Sequence, residues 1–160
     1  MINPKVSGKP SVTLLVEDDL CHAQLIMHGL QKHHLDNVVY HVWDGEEALD
    51  YLFRRGKYVN REMSPRPDVV LLDLRMPKVD GLEVLKEVKE SERLRGIPII
   101  ILTSSEAEVD LAQAYEYRAN SYLVKPLDLK GFGQLMNTLT GYWLRCDHHP
   151  ELSTQNEAAS

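Results

Sequence analysis

The stretch Val69-Val70-Leu71-Leu72-Asp73 places an acidic residue directly after four apolar ones. Residues 99–102 show a similar apolar run, since all four positions are isoleucine or leucine. Strands that are apolar at every position, instead of at every second one, are typical of parallel sheets with helices on both faces. These two stretches therefore predict an α/β fold built on a parallel sheet.

Three further apolar runs, at residues 12–16, 38–42 and 122–124, are expected to complete the sheet. The segments between the runs carry apolar residues at helical spacing, and a final helix is expected over residues 127–144. Because strands and helices alternate along the chain, we expect right-handed crossovers between parallel strands. The prediction is a doubly wound sandwich of five strands and five helices.

The composition indicates one globular domain, since the chain has 160 residues and 43% of them are hydrophobic. We expect that domain to cover residues 11–147, between flexible tails at 1–10 and 148–160. Its net charge of −6 argues against binding to nucleic acid. We find no signal peptide and no apolar run long enough for a membrane span, so we expect a soluble, cytoplasmic protein.

Polar residues follow the carboxyl ends of four predicted strands, where ligands bind in open α/β sheets. They are Glu17, Asp18 and Asp19 after the first strand, Asp73 after the third, Thr103 after the fourth and Lys125 after the fifth. Acids that converge at one edge repel one another unless they share a cation, and Mg²⁺ prefers oxygen ligands. Asp73 could then attack a phosphoryl group whose oxygens are held by Lys125 and Thr103.

Each of these residues also has an ordinary structural interpretation. An aspartate at a strand end is most often a turn or helix-cap residue, and Thr103 could open a capping box with Glu106. Lys125 could be a surface lysine. A shared site is favoured because all of these residues follow successive strands at one edge, which helix capping alone does not require.

Four segments that carry these residues resemble, in their order along the chain, the motifs of response-regulator receiver domains. The segments are residues 14–19, 71–81, 101–104 and 122–126. The resemblance covers residues 11–144 and implies a flavodoxin-like sheet with the strand order 2-1-3-4-5. By matching position, it implies that Asp73 is the phosphoacceptor and that Gly81 opens the third helix.

The same resemblance implies a metal site and a phosphoryl-binding pair. Glu17, Asp18, Asp73 and the backbone carbonyl of Arg75 would bind Mg²⁺, for which Mn²⁺ is a possible substitute. Lys125 and Thr103 would contact the phosphoryl group.

The resemblance also implies a conformational switch. Thr103 and Tyr122 would be its switch residues, and the peptide bond between Lys125 and Pro126 would be cis, an isomer that proline permits at modest cost. The surface formed by helix 4, strand 5 and helix 5 would change on phosphorylation and could form a homodimer.

Three segments outside these motifs resemble the stand-alone regulators of cyanobacterial and other bacterial phytochrome kinases. They are residues 55–58 and 64–67, within a long excursion before the third strand, and residues 141–144 near the end of the chain. This narrower resemblance implies a phytochrome-type histidine kinase as the partner.

We therefore expect a single-domain response regulator of a two-component phosphorelay, and no enzyme beyond autophosphorylation from small donors and autodephosphorylation. One alternative is a receiver-like interaction module that acts without phosphorylation, which normally lacks one of the key residues present here. Another is a phosphatase-type hydrolase with an aspartate nucleophile. Such enzymes usually need a second acid two residues later, where this chain has Arg75.

Overall fold

The computed structural model describes residues 11–33, 37–60, 62–74, 76, 78–103, 119, 121–125, 131 and 134–135. Strands and helices alternate along the chain as the apolar runs predict. The strands are β1 (Ser11–Val16), β2 (Asn37–Val42), β3 (Val69–Leu72), β4 (Ile99–Thr103) and β5 (Ser121–Val124). The helices are α1 (Leu20–His33), α2 (Gly45–Phe53) and α3 (Gly81–Glu90), with a short 3₁₀ helix at Gly56–Tyr58.

All five strands form one parallel sheet in the order β2-β1-β3-β4-β5. This confirms the predicted fold class and strand order. Four boundaries differ from the predicted runs by one residue: β1, β2 and β5 begin one residue earlier, and β4 ends one residue later. Thr103 is therefore the last residue of β4 and does not follow it. Its backbone pairs with Val124 of β5, which extends the strand by one residue.

Both faces of the sheet are buried, which explains why β3 and β4 lack alternation. Leu72 and Ile101 belong to a core cluster that includes Leu85 of α3. Leu71 belongs to a second cluster that includes Ile26 of α1. The two helical layers therefore hold the strand ends in fixed positions.

Aspartate side chains cap the starts of α2 and α3 at the carboxyl edge of the sheet. Asp44 accepts a hydrogen bond from the Glu47 backbone N–H at the start of α2, and Asp80 accepts one from Glu83 at the start of α3. Helix α3 begins at Gly81, as the sequence predicts, and this glycine lies against the Asp73 carbonyl.

Several predicted features fall outside the described residues. They are the fourth helix, both tails, and the final helix apart from residues 131, 134 and 135, which are helical. Among the helices that the structure describes, none has the length and hydropathy needed to cross a membrane.

Candidate functional site

The strand register brings two acidic residues together at the carboxyl edge of the sheet. Val16 pairs with Leu72, so the residues that follow them, Glu17 and Asp73, leave the sheet side by side. The Asp73 backbone N–H donates to the Val16 carbonyl over 3.1 Å and fixes this arrangement.

Glu17, Asp18 and Asp73 each offer a carboxylate oxygen, and these three atoms lie within 4.8 Å of one another. Glu17 and Asp73 are buried, with 1% and 6% of their surface exposed, whereas Asp18 is open to solvent. The sequence predicted this grouping. Three hard oxygen donors around one point, one side of which is exposed, suit a divalent cation that keeps several of its waters.

Lys125 brings a buried positive charge into the acidic cluster from β5. Its Nζ lies 3.1 Å from Asp73 Oδ2 and donates a hydrogen bond to Glu17 Oε1. Its side chain is only 3% exposed. The lysine therefore lies within the acidic cluster and is not a surface residue.

Glu17 shows that the site can accept further positive charge. Its Oε2 is buried and, among the residues that the structure describes, has no hydrogen-bond partner. Burial is the main reason that the pKa of Glu17 is raised to about 8, and the neighbouring Asp73 adds to the shift. A divalent cation would favour the ionised carboxylate and occupy the free oxygen, so the donor set fits such an ion.

Two histidines belong to the site although the sequence analysis did not include them. His22, in the first turn of α1, places Nδ1 3.4 Å from Glu17 Oε1 and 3.2 Å from Lys125 Nζ. Its position three residues after Asp19 was the available signal, because that spacing is about one helical turn. His41 forms a 2.8 Å hydrogen bond through Nε2 with the Glu17 backbone carbonyl, and no local pattern predicts that contact.

The remaining predicted residues are placed only in part. Thr103 ends β4 and Tyr122 lies in β5 opposite Ile101, but the side chains of both residues are outside the described part of the structure. Arg75 and Pro126 are also outside it, so the predicted carbonyl ligand and the predicted cis peptide stay predictions.

Residues 13–137 match the model of the response regulator receiver domain family. The chain belongs to this family. It is 43% identical over 141 residues to a probable methanogenesis regulatory protein, FilR2 of Methanothrix harundinacea. The aligned region covers 88% of each chain.

Two solved receivers show the same fold. The Mn²⁺-bound form of response regulator Rcp1 is 38% identical, with a TM-score of 0.78 over 84% of this chain and 95% of that one; Rcp1 is a protein of Synechocystis sp.. The phosphorylated cyanobacterial phytochrome response regulator RcpA is 36% identical, with a TM-score of 0.79 over 84% of this chain and 94% of that one. This chain is thus a two-component receiver related to phytochrome response regulators.

Proposed function

We propose that this receiver accepts a phosphoryl group on Asp73 from a histidine kinase in a reaction that requires Mg²⁺. The proposal rests on the position of the Asp73 carboxylate. It is buried at the end of β3, beside two further acids, and 3.1 Å from the Lys125 ammonium group. This combination provides a nucleophile, a cation site and a donor for phosphoryl oxygens in one place.

In the proposed step, an oxygen of the Asp73 carboxylate attacks the phosphorus atom of a phosphohistidine. The P–N bond breaks, its electron pair stays on the imidazole, and an aspartyl phosphate forms. Lys125 donates to a phosphoryl oxygen, and Glu17 and Asp18 would hold the metal ion. When bound, Mg²⁺ supplies positive charge to the phosphoryl oxygens as negative charge develops there.

The kinase and the output are further parts of the proposal. The similarity to RcpA supports a phytochrome-type kinase as the phosphodonor. We propose that Thr103 and Tyr122 transmit phosphorylation to the helix 4, strand 5 and helix 5 surface, where a homodimer could form. We further propose a cytoplasmic protein that signals and turns over no external substrate.

The test is the intact mass of the protein after incubation with acetyl phosphate or a phosphorylated phytochrome-type kinase, with and without Mg²⁺. We expect a phosphoryl adduct on wild type, which disappears in Asp73→Asn and without the metal. Asp19→Asn is the matched control, because Asp19 is an exposed neighbour outside the three-acid cluster. An adduct on Asp73→Asn at the wild-type level would refute the assignment.

Absence of an adduct on wild type with either donor would favour an interaction module that works without phosphate. Sizing chromatography with and without beryllofluoride tests the proposed dimer on the same samples. A change in size with beryllofluoride supports phosphorylation-controlled assembly, and an unchanged monomer contradicts it.

A further inference from the structure

The excursion between α2 and β3 takes no part in the proposed phosphoryl transfer, yet it is firmly tied to the domain. Tyr51 of α2 donates its hydroxyl to the Pro65 carbonyl over 2.8 Å. Ser64 is 1% exposed, and its hydroxyl donates to the Tyr58 carbonyl at 2.7 Å. The first bond holds the excursion against α2, and the second fixes the shape of the excursion itself, so it can form one wall of a fixed binding site.

The excursion, the end of α2 and the segment after α3 line a half-open cavity of about 150 Å³. Arg54, Arg66 and Arg93 line it, and no acidic residue is found among the described residues of its wall. Pro67, which also lines it, comes just before β3, whereas Asp73 follows that strand. The four residues of β3 span about 13 Å. The cavity therefore lies at the amino-terminal edge of the sheet, opposite the edge that carries Asp73.

Two of the three arginines are anchored by backbone carbonyls. Arg66 Nη1 donates to the Arg93 carbonyl over 2.5 Å, and Arg93 Nη2 donates to the Leu52 carbonyl over 3.4 Å. Each guanidinium has five N–H donors, so one anchoring bond leaves others for a ligand. Neither contact supplies a negative charge.

Arg54 differs from its neighbour Arg55. Within the described residues its side chain has no hydrogen bond and no ion pair, whereas Arg55 Nε lies 3.4 Å from Asp50 Oδ1. The Arg54 backbone is also left-handed, with φ 57°, at the position that ends α2. Glycine is the residue that adopts this conformation without strain, so the backbone does not explain an arginine at this position.

We propose that this cavity binds a phosphate group, either as free phosphate or as a phosphate monoester. Three like charges around one cavity repel one another, and a dianion would offset that repulsion. Guanidinium groups bind phosphate oxygens through paired hydrogen bonds. A carboxylate is a monoanion, so it would neutralise less of the positive charge of the arginines than a phosphate dianion would. The volume is that of about five water molecules, which suits a phosphate group.

The experiment is a titration of the full chain with inorganic phosphate, without Mg²⁺ or phosphodonor, against chloride at matched ionic strength. We follow the backbone amide NMR signals of Arg54, Ser64 and Arg66. Saturable shifts are expected in wild type. Arg54→Gly and Arg66→Gln should weaken binding about tenfold or more, because each loses charged hydrogen bonds.

Arg55→Gln is the matched control, since it removes the same charge one residue away and should bind phosphate as wild type does. Arg54→Gly also guards against misfolding, because glycine suits the left-handed backbone at that position. Shifts that do not saturate, or equal weakening in Arg55→Gln, would overturn the proposal. Binding of acetate as tight as that of phosphate would do the same.

Methyl phosphate distinguishes the two sources of the ligand. Binding as tight as that of inorganic phosphate supports a monoester, and exclusion of methyl phosphate supports the free anion. Asp73 and the metal ligands are not used in this experiment. Its failure would therefore leave the proposed phosphoryl transfer untouched.

Discussion

Lys125 Nζ lies 3.1 Å from Asp73 Oδ2, although 52 residues separate them in the sequence. The parallel order β3-β4-β5 makes this contact possible, because all three strands end at the same edge. Lys125 also donates to Glu17, so one buried ammonium group serves two buried acids. In the absence of a metal ion, this lysine is the main source of positive charge among the described side chains of the cluster.

Replacing Lys125 with methionine should destabilise the metal-free protein strongly. Removal of one partner from a buried ion pair typically costs about 3–5 kcal/mol, because the remaining charges stay buried. We expect a loss of this order in the free energy of unfolding at pH 8 with a chelator present. Mg²⁺ should restore part of it. Denaturant unfolding with and without the metal measures both effects.

Lys86→Met is the control for Lys125→Met, since Lys86 is an exposed lysine of α3. Its substitution should change the free energy of unfolding by less than about 0.5 kcal/mol. Equal losses in the two variants would contradict a special role for the buried lysine.

Asp18→Asn should weaken divalent-cation binding by about tenfold, because one of three ligand charges is lost. At a metal concentration of about 100 times the wild-type dissociation constant, bound metal adds about 2.7 kcal/mol to stability. The variant should keep about half of this gain. Thermal unfolding with Mg²⁺ and with Mn²⁺ provides the measurement.

Asp19→Asn provides the comparison for Asp18→Asn. Asp19 Oδ1 accepts a hydrogen bond from the His22 N–H at the start of α1, and asparagine caps helices as well as aspartate does. This variant should keep the full metal-dependent gain. If it lost as much as Asp18→Asn, simple surface charge and not ligation would explain the effect.

Gly81→Ala should impair both stability and phosphorylation. A Cβ at this position would overlap the Asp73 carbonyl oxygen and lie 2.6 Å from Leu74 Cα. Backbone atoms cannot move away as a flexible side chain could, so we expect a loss of about 1–3 kcal/mol. The displaced Asp73 should also take up phosphate more slowly from acetyl phosphate, as followed by intact mass.

Gly96→Ala tests the same substitution where a Cβ would meet nothing within 4 Å. We expect nearly wild-type stability and phosphorylation there. A wild-type phosphorylation rate in Gly81→Ala would show that close packing against Asp73 does not position the carboxylate.

Glu47→Gln should reduce stability in a pH-dependent way. Burial alone would raise the pKa of Glu47, but hydrogen bonds from Tyr58, the Trp43 backbone and Lys57 outweigh it and lower that pKa. The Tyr58 hydroxyl donates to Oε2 over 2.6 Å, and Lys57 Nζ lies 2.9 Å from the same oxygen. These bonds fasten the excursion to α2.

The direction of this pH dependence follows from the lowered pKa of Glu47. Above the ordinary glutamate pKa of 4.5, the folded protein gains the full benefit of the ionised carboxylate, and it loses that benefit as the pH falls through the folded pKa. Glu47→Gln should therefore be about 1–2 kcal/mol less stable at pH 7, with a difference that shrinks in acid. Denaturant midpoints across this range measure it.

Glu46→Gln is the control for the pH experiment, because Glu46 is 60% exposed and its contact with Lys78 spans 3.7 Å. Its effect should stay below about 0.5 kcal/mol at every pH. A constant gap between wild type and Glu47→Gln down to pH 3 would contradict the lowered pKa.

Local sequence patterns were sufficient to predict the sheet and most of the acidic cluster. Residues 69–72 were predicted as a strand and form β3, because a fully apolar run has few other ways to be buried. Asp73 follows that run directly, so its place at the carboxyl edge needs only the strand direction. The start of α3 at Gly81 was predicted from the family motif.

Contacts between distant residues were harder to predict. His41 supports the Glu17 carbonyl because β1 and β2 pair in one particular register, with Leu15 opposite His41. The sequence located the excursion before β3, but its arginines were not expected to share a cavity.

The sequence by itself thus determined the fold, its strand order through the family resemblance, and the acids and lysine at the ends of the strands. Hydrophobic periodicity and position along a strand are local properties, so they can be read without coordinates. Only the tertiary structure decided that Lys125 lies between Glu17 and Asp73, and that three arginines surround one cavity. Such contacts depend on register, packing and side-chain direction over long stretches of chain, which no local pattern encodes.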